Sequence, residues 1–223
     1  MFPASVSTRF FDRDALEVAR DLLGKVLAHR VDGVWLKATI VETEAYYLQE
    51  KGSHASLGYT EKRKALFMPP GTIYMYYARG GDSLNFSCRG AGNAVLVKSG
   101  CPFQDGADSQ SMLERMHRLN PLPDGSHRAD GRLCSGQTLL CRALGLRVPD
   151  WDGGRLDRGK FRLLDVGYAP QRIVCAPRLG IPQGRDPHLP YRFIDFEHLR
   201  SATRNPLAGG AREGKDYRVM LNA

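Results

Sequence analysis

The hydrophobic positions along the chain change period several times, and each change predicts an element. Ala15, Leu16, Val18, Ala19, Leu22 and Leu23 recur at helical spacing, with Asp12 placed to cap the start and Gly24 to end the helix. Two runs rich in Val, Leu, Ile and Trp follow, Lys25 to Val31 and Val34 to Glu42, joined by Asp32-Gly33, a strong short hairpin signal. The second run continues as "VETEAY", so two glutamates stand at the end of an apolar strand.

A polar, glycine- and serine-bearing loop containing His54 spans residues 48–64, longer than loops without a function usually are. "TIYMYY" then predicts a strand that turns at Ala78-Arg79-Gly80-Gly81-Asp82 into "SLNFS", a second hairpin with a basic tip, and "AVLVK" predicts a further strand. Helical spacing returns around Met112, Leu113, Met116 and Leu119, and again in a helix opened by Ser135 and closed by Gly145. Short strands follow at "FRLLDV", "RIVCA" and "YRFIDF". Hairpins with helices outside strict alternation argue for an α+β fold with a mostly antiparallel sheet. One domain over residues 1–200 is expected, with a loosely ordered tail over 201–223 containing Asn205-Pro206 and Gly209-Gly210.

Composition narrows the partners. The 223 residues are 42% hydrophobic, enough for a sizeable core, and 32 Lys and Arg against 24 Asp and Glu give a net charge of +8, which favours nucleic acid over a membrane surface. There is no membrane-length apolar run and no signal-peptide core, so a cytoplasmic, nucleoid-associated protein is expected. Five scattered cysteines without a CxxC pair fit a reduced compartment and buried thiols. Neither a metal nor a cofactor is expected.

In an extended strand Glu42, Glu44 and Tyr46 share one face. Two carboxylates so spaced would suit an inverting glycoside hydrolase, which needs an acid, a base and room for a water. Tyr74 and Tyr76 also share a face, with Tyr77 on the other. Stacking tyrosines, a carboxylate, a loop histidine and a basic hairpin together suggest a site for a flat base taken out of a duplex.

These segments resemble the alkyladenine (N-methylpurine, 3-methyladenine) DNA glycosylase family from about Phe10 to about Phe196. "RFFDRDALEVARDLLGKVL", "VETEAY", "GSHAS", "MPPGTIYMY", "LNFS", "GAGNAVLVK", "LCSGQTLLCRALGL" and "PRLGI" stand in the family's order. The resemblance implies a curved antiparallel sheet flanked by helices, with a protruding hairpin that fills the gap left by an extruded nucleotide. It also implies a monofunctional, metal-free enzyme of base excision repair acting on double-stranded DNA with damaged purines; a monomer is the expectation for a protein that scans DNA. By position, Glu44 corresponds to the general base, Tyr46 and Tyr76 to stacking walls, His54 to an edge contact and Asn85 to the residue that discriminates against the amino group of guanine. Glu42 has no catalytic counterpart.

Two positions depart from the pattern. Lys98 stands where the family commonly has arginine, keeping the charge but not the planar fork. The interval from Tyr76 to Asn85 is one residue short, so the intercalating residue falls on Arg79 by alignment to Gly80 or on Ala78 by counting back, with Tyr77 the nearby aromatic. A damage-binding protein that no longer cuts, and a carbohydrate hydrolase using Glu42 and Glu44, are the rival readings.

Overall fold

The computed structural model describes residues 3–222 except 79 and 107. The first helix, α1 (Ala15–Asp21), is capped by Asp14, whose carboxylate accepts the Leu16 N–H at 2.9 Å; Asp12, the expected cap, instead closes a preceding 3-10 turn. β1 (Ala4–Ser5) precedes it. After Gly24, β2 (Val26–Val31) and β3 (Val34–Tyr46) form the expected hairpin, and Asp32 (φ 47°) and Gly33 (φ 85°) supply the two left-handed residues that a tight hairpin turn requires.

β3 organises the molecule. Its first half pairs with β2, its second half pairs with β9 (Arg192–Asp195) along the same edge, and β6 (Ala94–Pro102) runs along its other edge. The hairpin β4 (Ile73–Ala78) and β5 (Gly81–Ser87) extends the sheet beyond β6, while β7 (Phe161–Asp165) joins β2 to β1. β8 (Arg172–Ala176) links β9 to β10 (Arg218–Leu221). Every pair of these strands is antiparallel and the sheet does not close.

The helices cover the sheet with apolar faces. α2 (Ser109–Leu119) buries Met112, Leu113 and Met116, and α3 (Gln137–Leu144) buries Leu140, Cys141, Ala143 and Leu144. Together with Phe11, Val18, Leu22, Leu27, Ile40, Phe86 and Val97 these form one main core, with Phe11 and Phe86 stacked at 4.7 Å. Gly145 ends α3 in the left-handed conformation, as read from the sequence, but Ser135 does not cap it: its hydroxyl binds Ser201 O, and Gly136 is the cap residue. The short α4 (Val148–Trp151) has no counterpart in the sequence reading. His29 is buried and hydrogen-bonded to Leu144 O at 2.7 Å. The five cysteines are free; Cys134 and Cys141 are fully buried, and burial pushes both thiols up.

The segment after Ser201 makes long-range contacts with the rest of the fold. The Thr203 N–H donates to Glu42, Arg204 O accepts from Arg192, and β10 pairs with β8. No helix among the described residues is long and apolar enough to cross a membrane.

Candidate functional site

A cleft of about 960 Å³ opens above the end of β3, lined by Tyr46, His54, Tyr74, Tyr76, Tyr77, Asn85, Lys98 and the N-terminal turn of α3. Its geometry starts in the backbone. Between β3 and β6 the register shifts twice: Ile40 faces Gly100 and Glu42 faces Ser99, whereas Thr43 faces Val97. Val41 and Lys98 are thus extra residues in their strands. Bulges of this kind bend a strand and re-aim its side chains; here adjacent Lys98 and Ser99 both reach carboxylates of β3.

Those two carboxylates are used differently. Glu42 is fully buried and its oxygens are occupied: Arg192 Nε donates to Oε1 at 2.6 Å, while Ser99 Oγ and the Thr203 N–H each donate to Oε2 at 2.7 Å. Arg192 is itself only 2% exposed and spends its other arm on Arg204 O. Glu42 is therefore a structural anion, which removes the acid–base pair needed by the carbohydrate-hydrolase reading.

Glu44, also fully buried, lies directly behind the cleft wall, against the lining residues Tyr46, Lys98 and Leu179. Leu179 N–H donates to Oε1 at 3.0 Å, Tyr46 O–H to Oε2 at 2.7 Å, and Lys98 Nζ lies 3.5 Å from Oε2. Burial, followed by the adjacent Glu44 charge, pushes the Tyr46 phenol well above its usual value, so it remains protonated and able to donate.

Facing this pair is the β4–β5 hairpin. Tyr74 and Tyr76 share a face as the alternation requires, their rings 5.5 Å apart and 24° from parallel. Burial, with Glu44 the next cause, raises the Tyr76 phenol as well. The Gln137 amide donates to Ser83 Oγ at 2.8 Å beside it. Asn85 is 5% exposed and its amide donates to Tyr74 O at 3.1 Å. Gly81 lets α3 come this close, because a Cβ there would lie 2.0 Å from Thr138 Cγ2. Tyr77 points outward at 67% exposure. Arg79, the other residue expected at the hairpin tip, lies outside the described residues.

His54 stands at the rim, its ring 4.4 Å from Tyr76 and its Nδ1 3.1 Å from Tyr74 Oη. The side of the ring turned to the tyrosines is out of water, and that desolvation, together with Arg63 and Arg185, lowers its pKa below the usual 6.5. A lowered histidine pKa favours the fold above the unfolded value, and the advantage is lost as pH falls below 6.5 through the folded value. An NMR pH titration is expected to give a His54 midpoint below 6.5, with the opposite displacement at His198, whose pKa is raised by its hydrogen bond to Asp195 at 2.7 Å.

The structure thus brings Lys98, Tyr46, His54, Tyr76 and Asn85 to the wall of one cleft, with Glu44 buried behind Tyr46 and Lys98. Sequence reading missed Arg178, Leu179, Gln137, Thr203 and Arg204. "PRLGI" was visible as a motif, but nothing in it signals that the Leu179 N–H would meet a carboxylate 135 residues earlier.

A buried carboxylate held by donors that line an aromatic-walled cleft, on a basic protein, is an arrangement suited to hydrolysing a bond to a flat ring. A model of the methylpurine-DNA glycosylase family matches residues 9–198. A relative from Pseudomonas aeruginosa (strain UCBPP-PA14) is 62% identical over 211 residues, covering 95% of this chain and 88% of its own. One from Pseudomonas savastanoi pv. phaseolicola is 59% identical over 215 residues, 96% of each chain. Another from Methanocella arvoryzae is 34% identical over 191 residues, 83% of this chain and 90% of its own. All three are provisionally named 3-methyladenine DNA glycosylases. The chain belongs to the methylpurine-DNA glycosylase family, DNA-repair hydrolases of the N-glycosidic bond. Thr203 and Arg204, which line the cleft, lie beyond the matched residues.

Proposed function

We propose that this protein binds duplex DNA, takes a damaged purine into the cleft between Tyr46 and Tyr76, and hydrolyses its N-glycosidic bond with a water activated by Glu44, opening base excision repair. The observation that carries the reading is Glu44 itself: a fully buried carboxylate reached by Tyr46, Leu179 and Lys98, three residues that line the aromatic cleft. Burying an anion is costly, so a carboxylate kept directly behind the wall of a ligand-sized cleft is a candidate for chemistry.

Alkylation at a ring nitrogen gives the purine a positive charge and makes it a good leaving group. Glu44 takes a proton from the water, the oxygen bonds to the sugar carbon, and the electrons of the glycosidic bond pass to the purine ring. A free base and an abasic sugar remain, so one carboxylate suffices. Lys98 offsets the charge of Glu44 and helps orient the water. His54 supplies an edge contact, Asn85 excludes bases carrying the guanine amino group, and Tyr77 with Arg79 occupies the gap left in the duplex. The protein acts as a cytoplasmic monomer on DNA.

Single-turnover assays on duplexes carrying 3-methyladenine, 7-methylguanine, hypoxanthine or ethenoadenine test this reading. Free base is expected from at least one damaged duplex, with undamaged DNA releasing far less. No release from any of them, with tight lesion binding, would identify a damage sensor instead.

A further inference from the structure

Arg178 lies behind the cleft, two residues beyond β8 and 4% exposed. Its guanidinium carbon is 4.4 Å from the centre of the Tyr46 ring, and Nη1 donates to Ala45 O at 2.9 Å. The same arm forms an ion pair with buried Glu50, whose other oxygen accepts the Tyr47 N–H at 3.1 Å. The next residue in the chain is Leu179, whose N–H binds Glu44. The hydrogen bonds of this arginine and its neighbour thus fall on Ala45 and Glu44 at the end of β3, while the ion pair with Glu50 and the ring faces of Tyr46 and, at 5.5 Å, Tyr191 hold the guanidinium.

A role in stability alone explains this poorly. Arg178 Nε and Nη2 are buried without a hydrogen-bond partner among the described residues, and unpaired buried donors on a charged group are costly. What the side chain gains is a flat cationic face against an aromatic ring, a contact that lysine reproduces poorly.

Resting on the function proposed above, we infer that Arg178 is a positioning residue for base release. Its face fixes the plane of the Tyr46 wall, and its place in the chain fixes the Leu179 N–H on Glu44, so wall and base keep one geometry relative to each other. Small misplacements of a reacting group are expensive in rate, so loosening this clamp should act on turnover more than on DNA affinity.

The test compares wild type with R178K, which keeps the charge opposite Glu50 but loses the planar face. An ethenoadenine duplex is used, so that fluorescence of the bound lesion reports its stacking. R178K is expected to melt like a folded protein, to bind undamaged duplex as the wild type does, to release base about tenfold or more slowly at saturating enzyme, and to leave the bound lesion brighter. A folded R178K with wild-type rate and fluorescence would overturn the proposal. If R178K does not fold, R178M/E50Q removes both buried charges together and is read by the same criteria. Absence of base release by the wild type would instead sink the glycosylase reading, and the proposal with it.

Discussion

Replacing Glu44 by glutamine is expected to lower single-turnover base release by about 10²–10⁴-fold, the usual contribution of a general base. The substitution keeps size and leaves an oxygen to accept from Tyr46 or from Leu179, which now hold the carboxylate at 2.7 and 3.0 Å. It removes the proton acceptor and the charge opposite Lys98, 3.5 Å away. The cleft walls, Tyr46 and Tyr76, are untouched, so affinity for a lesion-bearing duplex should survive. Gel-shift titration beside the rate measurement separates the two effects, because parallel loss of binding and turnover would point to a collapsed cleft rather than to a missing base.

Arg192→Ala is expected to cause the largest loss of stability. Arg192 and Glu42 form an ion pair whose side chains are 2% and 0% exposed, so deleting the arginine leaves a buried carboxylate with only Ser99 and the Thr203 N–H as donors. Breaking such a pair costs about 3–5 kcal/mol, which for a chain of this size lowers the melting temperature by roughly 6–20 °C. The same deletion frees Arg204 O and loosens the segment that brings Thr203 and Arg204 to the cleft. Thermal unfolding followed by circular dichroism checks it; a shift under 2 °C would mean that the buried pair contributes little.

What was legible in the sequence follows from the range of each interaction. Asp32-Gly33 announced its hairpin because the turn conformation is encoded by the two residues that adopt it. The faces of "VETEAY" and "YMYY" followed from strand alternation alone. Asp12 and Asp14 both satisfy the capping pattern, and only the fold decides for Asp14, which also accepts from Tyr47 Oη at 2.7 Å. The division of labour between Glu42 and Glu44 rests on partners 150 and 135 residues away, Arg192 and Leu179, and on bulges at Val41 and Lys98 that no local pattern announces. For the same reason the bonds of Thr203 to Glu42 and of Arg204 O to Arg192 are not encoded in the glycines and proline of that segment.

The account turns on one carboxylate, not two, acting in the cleft. Its most direct test is single-turnover release of a damaged purine from duplex DNA by wild type, E44Q and E42Q side by side, each rate scaled to the folded fraction. The predicted result is release by wild type, near-wild-type release by whatever E42Q is folded, and almost none by E44Q. Equal loss in both variants, or turnover retained by E44Q, would contradict it.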